Sequence, residues 1–341
     1  MNRKLLWTFV ATLALAAVVL GYRRLGPPGE WIGGSREPVV PWDPIPDPAA
    51  PRPANIPPAE VEPRVLFELP RFGEGLAFDR AGNGYVSCDG RVLRFTPAGE
   101  HAAWAETGGT PWGHDVKPDG THLVCDPKRK AVLHLDAEGN ELGIASAGLP
   151  DFPLRFPNDV CADVDGGFYF TDPSDEGSDE NPIGRLYHVD ERGRTRLIDS
   201  GLAYPNGLLL APDGIRLFVA ECWHNRIHVY RLAGPGRPVS KRVFADLPTR
   251  DGDTEQTDNQ PDGLAIDAEG NLHVGHWGMS RVQVLDPSGR LIRSYRTGLV
   301  NTANVFLAGP RGDQLIVTGG LRDEPDSPGA VVLFDLVSHP D

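Results

Sequence analysis

The chain has 341 residues, with 33 Lys and Arg against 47 Asp and Glu, and the resulting net charge of −14 repels phosphate backbones and sets nucleic acid aside as a partner. Hydrophobic residues make up 40% and charged residues 23%, the balance of a globular protein with a sizeable core. The 40 Gly and 33 Pro suit many tight turns and few long helices, so an all-β fold is expected.

Residues 5–21, LLWTFVATLALAAVVLG, follow Arg3 and Lys4 as an apolar run long enough to span most of a bilayer as a helix. Residues 1–25 are therefore read as a signal anchor or transmembrane segment, and the membrane is reached through this helix only. Ala14-Leu15-Ala16 offers a rival cleavage site, although cutting there would leave AVVLG on the mature N-terminus. Arg23 and Arg24 balance the basic residues across the segment and give orientation a weak basis. The expected placement of the remaining chain is extracytoplasmic and membrane-anchored, periplasmic in a bacterium, or secreted if the N-terminus is cut. Residues 26–63 form a Pro-rich linker that favours extended backbone, and Trp31 and Trp42 argue that part of it packs on the domain surface.

From residue 64 to 341 a unit recurs: strand, Asp/Gly turn, strand, with further strands in the longer copies. Its copies start at Gly73, Gly113, Pro157, Pro205, Pro261 and Thr302, separated by 40 to 56 residues, close to the ~40–50 of a propeller blade. Alternation such as Leu208, Leu210 and Leu217, Val219 turns one face of each strand toward a neighbouring blade, with Asp213-Gly214 at the hairpin. The pattern predicts a six-bladed β-propeller, preceded by the transmembrane helix and Pro-rich linker. RVLFEL at 64–69 is expected to complete the last blade and join the ends of the ring, and RDGDTEQTDNQ at 250–260 reads as a polar loop insertion.

Just before the apolar stretch of each innermost strand stand Glu74, His114, Asn158, Asn206, Asp262 and Asn304. Equivalent residues of different blades converge near the axis, so Glu74, Asn158, Asn206 and Asp262 would deliver two carboxylates and two amide oxygens to one spot. Oxygen-only ligation suits one divalent hard cation, Ca2+ first, with Zn2+, Mn2+ or Mg2+ as substitutes that an oxygen site accepts. Asn-Gly and Asp-Gly pairs also make turns, and any one alone would be read that way. Glu-Gly is a poor turn signal, so Glu74 in the register of Asn206 and Asp262 favours the metal reading.

Glu74-Gly75, Pro157-Asn158-Asp159 leading to Tyr169-Phe170-Thr171-Asp172-Pro173, Pro205-Asn206-Gly207 and Pro261-Asp262-Gly263 occur in the order of the SMP-30/gluconolactonase/LRE-like family, which the domain from residue 64 onward resembles. The resemblance implies a propeller hydrolase with one catalytic divalent metal in the channel, acting on sugar lactones or related esters. It implies Glu74, Asn206 and Asp262 as direct ligands, and Asn158 as a further asparagine that binds the metal directly or acts through water or substrate. Arg155 lies near the position of a substrate-contacting arginine, whereas His114 and Ala303, with Thr302 and Asn304, fall where members vary.

A lactone carbonyl polarised by the cation would need a base for the attacking water. Asp262 is the candidate catalytic residue, with a direct nucleophilic role equivalent in sequence, and Glu74 is a plainer ligand. His114 and His276 are candidates for substrate contact or leaving-group protonation, against a structural role for each, and Trp277 either shapes the pocket rim or fills a gap between blades. No G-x-S-x-G elbow occurs, and Ser146 lacks the glycine two residues before it. Cys88, Cys125, Cys161 and Cys222 are scattered one to a blade, with buried free thiols the default and a Cys88–Cys125 bridge conceivable only in an oxidising space. A phosphotriesterase-like or aryl-ester activity at the same metal, and a noncatalytic calcium-binding interaction propeller, are the alternatives to a lactonase.

Overall fold

The computed structural model describes residues 58–336 except 175, 179, 250–258, 310, 311 and 324–326, and every regular element among them is a β-strand. The expected anchor at 1–25, nearly all of the linker and nearly all of the polar insertion lie outside the described residues. Six four-stranded sheets form the blades of a propeller. In blade 1 the strands run Gly73–Phe78, Gly84–Cys88, Arg91–Phe95 and His101–Glu106 from the axis outward. The inner strands of blades 2 to 6 are His114–Val116, Val160–Ala162, Pro205–Leu210, Gln260–Ile266 and Asn301–Ala308. Each lies beside the inner strands before and after it, and that of blade 6 lies beside that of blade 1.

Arg64–Leu69 pairs antiparallel with Gly329–Asp335 as the outermost strand of blade 6, so the two ends of the domain close the ring as the sequence predicts. The last described linker residues also dock: the Ala59 amide donates to the Ser294 carbonyl at 2.7 Å, and Ala59 and Val61 pack on the core between blades 5 and 6. A two-stranded hairpin, Gly148–Leu149 with Phe152–Pro153, forms a sheet of its own that packs against blade 3, where the Tyr187 hydroxyl donates to the Phe152 carbonyl at 3.2 Å, and it was not foreseen from sequence.

The hairpins owe their shape to an Asp three residues before a Gly. Asp79 Oδ1 accepts the amides of Ala81 and Asn83 while Gly82 turns the chain at φ 83°. The same arrangement recurs at Asp136, Asp190 and Asp286. The carboxylate holds the tight turn closed, and glycine alone takes the positive φ without a Cβ penalty. Between blades the alternating residues meet: Leu208, Leu217 and Val219 pack on Cys161, Tyr169 and Leu186, and each buried Leu or Val contributes about 1.5–3 kcal/mol.

Candidate metal and substrate site

One local irregularity, repeated around the ring, brings the polar cluster to the axis. In blade 1 Gly73 pairs with Cys88 and Leu76 with Val86, so Glu74 and Gly75 stand together opposite Ser87 alone. Asn206-Gly207, Asp262-Gly263 and Ala303-Asn304 form the same bulge opposite Ala220, Gly275 and Thr318. A bulge of this kind bends the strand and re-aims a side chain. The glycines are there for close approach rather than for turning. A Cβ on Gly75 would lie 2.1 Å from the Trp112 carbonyl oxygen, one on Gly207 2.1 Å from that of Asp262, and one on Gly263 2.4 Å from Asn304 Oδ1.

The register resolves which residue each blade presents. Leu76, His114, Val160, Leu208, Leu264 and Val305 occupy equivalent paired positions, each facing a Val or Phe of the second strand. Two residues earlier stand Glu74, Trp112, Asn158, Asn206, Asp262 and Ala303. His114 is thus two residues out of register with the site, and Trp112 is the residue that blade 2 presents. Asn304 likewise belongs to the register of the bulge glycines, and blade 6 presents Ala303.

Glu74, Asn158, Asn206 and Asp262 are buried and line one cavity of about 750 Å³. The amide oxygens Asn158 Oδ1 and Asn206 Oδ1 have no hydrogen-bond donor. Burial, then the charges of Asp262 and Asp159, push the Glu74 carboxyl well above its usual range. Burial and Asp159 push Asp262 up to about 8, against a hydrogen bond from Asn206 that lowers it. Two mutually repelling carboxylates and two orphaned amide oxygens are the complement of a hard divalent cation, so the residues present fit the group that the resemblance implies. Among the described residues no three His, Cys, Asp or Glu side chains are grouped to hold a metal, and the four-residue cluster has two carboxylates and two amides instead.

The backbone behind the cluster is tied from blade to blade. Thr171 Oγ1 donates to the Asn206 carbonyl and Thr318 Oγ1 to that of Glu74, both at 2.8 Å. The Cys222 thiol donates to the Pro261 carbonyl at 3.0 Å, just before Asp262. All four cysteines are buried and free, and Cys222 holds the strand of Asp262 rather than a metal.

Of the other residues expected at the site, His114, His276 and Arg155 do not line the cavity. His114 Nε2 stands 2.9 Å from His122 Nδ1, beside the rings of Tyr85 and Trp104, and burial followed by His122 keeps its pKa well below the usual value. It is a packing histidine between blades 1 and 2. His276 Nε2 lies 3.0 Å from Asn225 Oδ1, and its Nδ1 faces Gln283 Nε2 at 3.4 Å. The Arg155 guanidinium pairs with Glu176, and its amide donates to Asp172. Trp277 does reach the cavity, packed edge-on against Phe72 at 5.0 Å between ring centres. Trp112 was missed in sequence, although the shortened interval before the blade 2 turn already signalled a two-residue offset.

A closed six-bladed propeller whose inner strands bring an acid-and-amide cluster to one cavity defines the class of protein. The SMP-30/gluconolactonase/LRE-like region matches residues 72–320, and the chain belongs to that family. It is 28% identical over 288 residues to pentonolactonase XacC of Haloferax volcanii, covering 80% of this chain and 93% of the relative. It is 26% identical over 259 residues to diisopropyl-fluorophosphatase of Loligo vulgaris, covering 67% and 80%. The fold is shared with a calcium-binding protein, regucalcin, from Agrobacterium tumefaciens, with a TM-score of 0.68 at 22% identity over 80% of this chain and 93% of that one.

Proposed function

We propose that the chain is a metal-dependent hydrolase that opens a sugar lactone, with one divalent cation, calcium first, held by Glu74, Asn158, Asn206 and Asp262. The observation that carries the reading is the pair of donorless amide oxygens, Asn158 Oδ1 and Asn206 Oδ1, lining the same cavity as two carboxylates. The kinship with a pentonolactonase supports the lactone, and the likeness in fold to a calcium-binding propeller is consistent with the ion.

When bound, the cation supplies positive charge to polarise the lactone carbonyl and to stabilise the oxyanion that forms as water attacks. Asp262 accepts the proton of that water, and the Asn206 hydrogen bond fixes the orientation of its carboxylate. Water oxygen joins the acyl carbon, the ring C–O bond breaks, and the ring oxygen takes up a proton to leave a hydroxy acid. Trp112, Phe72 and Trp277 present apolar faces that flank the substrate and limit water around it.

A second reading, phosphotriester hydrolysis at the same cation, is favoured by the kinship with diisopropyl-fluorophosphatase. The test follows proton release from glucono-1,5-lactone and from γ-lactones by the full chain, stripped with chelator and reloaded with calcium, beside Asp262→Asn. Calcium-dependent lactone turnover that is absent in the variant supports the lactonase. Turnover of phosphotriesters alone moves the assignment to the second reading, and tight calcium binding without turnover of either moves it to a binding propeller. Residues 5–21 are proposed as a membrane anchor with the propeller on the extracytoplasmic side, which fractionation and the mature N-terminal sequence would test.

A further inference from the structure

The second strands carry one register position that explains part of the site and leaves one residue over. Ser87, Cys125, Thr171, Ala220, Gly275 and Thr318 each stand one residue beyond the partner of the first core residue of the inner strand. Thr171 and Thr318 donate their hydroxyls to the carbonyl of the site residue in the next blade. Ser87 does not. Its side chain is fully buried, its Oγ has no hydrogen-bond partner, and it lines the cavity.

A second buried group on the cavity wall is in the same condition. Asn301, at the start of the inner strand of the neighbouring blade 6, donates Nδ2 to Asp323 Oδ1 at 3.4 Å, which leaves Asn301 Oδ1 without a donor. Asn301 is 5% exposed and also lines the cavity. A buried polar atom left without a partner costs about 1–3 kcal/mol, so two of them lining one cavity, on residues other than the four of the cluster, call for a ligand that satisfies both. Ser87 Oγ offers both a donor and lone pairs, and Asn301 Oδ1 is an acceptor only.

We infer that Ser87 and Asn301 form a specificity-determining subsite that reads the hydroxyl groups of the substrate. Asn301 Oδ1 accepts a hydrogen bond from one substrate hydroxyl, and the Ser87 hydroxyl exchanges one with another. The inference rests on the lactonase reading for the reaction but not for the recognition, which is a matter of polyol binding. A ring without hydroxyls would leave both groups unpaired, and sites built to pair a substrate hydroxyl reject analogues that lack it.

The test compares kcat/KM for glucono-1,5-lactone with kcat/KM for δ-valerolactone, the same ring without hydroxyls, in the full chain loaded with calcium. The ratio is expected to fall about tenfold in Ser87→Ala and again in Asn301→Ala, the loss of one hydrogen bond each. A ratio unchanged from the parent in either variant, with melting temperature retained, overturns the subsite. If the parent hydrolyses no lactone, the lactonase reading fails and recognition is read by calorimetry with D-gluconolactam and δ-valerolactam. Preference for the gluconolactam that is lost in both variants supports the subsite, and equal affinity for the two lactams overturns it.

Discussion

Thr318 and Glu74 lie 244 residues apart, and the Thr318 hydroxyl donates to the Glu74 carbonyl at 2.8 Å. The bond crosses from blade 6 to blade 1, where the ring closes, and fixes the backbone from which a site carboxylate projects. Closure of the propeller and geometry of the site are therefore one event: the first residue of the candidate site in the chain is positioned by nearly the last strand.

Thr318→Val keeps the shape of the side chain and removes its hydroxyl, leaving the buried Glu74 carbonyl without this donor. The variant is expected to lose about 1–3 kcal/mol in urea denaturation and to bind calcium more weakly by calorimetry. Calcium affinity equal to that of the parent would show that the bond supports the fold without positioning Glu74.

Asp262→Asn separates the ion from the fold. Burial and the charge of Asp159 raise the folded pKa of Asp262 to about 8, from an ordinary value of 3.8. Without a cation the carboxylate is therefore a cost to stability that is absent below pH 3.8 and grows until pH 8. In chelator at pH 8 the variant is expected to melt higher than the parent, with the difference vanishing near pH 4. Calcium should reverse the order, and its binding to the parent near pH 7 should release protons, visible as a buffer-dependent heat. A variant that melts lower than the parent in chelator at pH 8 would contradict this account.

The bulge glycines make a separate prediction. Gly207→Ala places a Cβ 2.1 Å from the Asp262 carbonyl oxygen, a backbone atom that moves only with its strand. Gly214→Ala meets nothing within 4 Å and carries only the strain of its positive φ of 66°. The expected losses in chemical denaturation are about 3 kcal/mol for the first and about 1–2 kcal/mol for the second, with calcium affinity falling only in the first. Equal losses and equal affinities would mean that the blades give way at the axis.

These contrasts also show what the sequence could and could not reveal. Six strand-turn-strand units were legible because Asp and Gly punctuate a period-two apolar pattern, and the closing strand Arg64–Leu69 was legible as a strand left over before the first unit. The residue presented by blade 2 was not. His114 is polar and sits where a reader expects a ligand, whereas pairing with Val124 makes it the equivalent of Leu76 and hands the site position to Trp112. Ser87 and Asn301 had no sequence signal at all, because lacking a partner is a property of the assembled cavity.

Glu221 gives the stability of the propeller a pH dependence independent of the site cluster. Burial alone would push its carboxyl up, but hydrogen bonds from His224 and His228 and from the Ala203 amide outweigh that and hold it well below the ordinary glutamate value of 4.5. A depressed folded pKa contributes stability that is fully present above the unfolded value and is lost as pH falls below it toward the folded one. Glu221→Gln should therefore cost about 3 kcal/mol at pH 7, the scale of breaking a buried pair, and progressively less below pH 4.5. Urea denaturation of parent and variant between pH 3 and pH 7 measures the difference. A gap that stays constant across that range would show that the glutamate acts through its shape and neutral hydrogen bonds, and that its charge contributes nothing to holding blade 4 together.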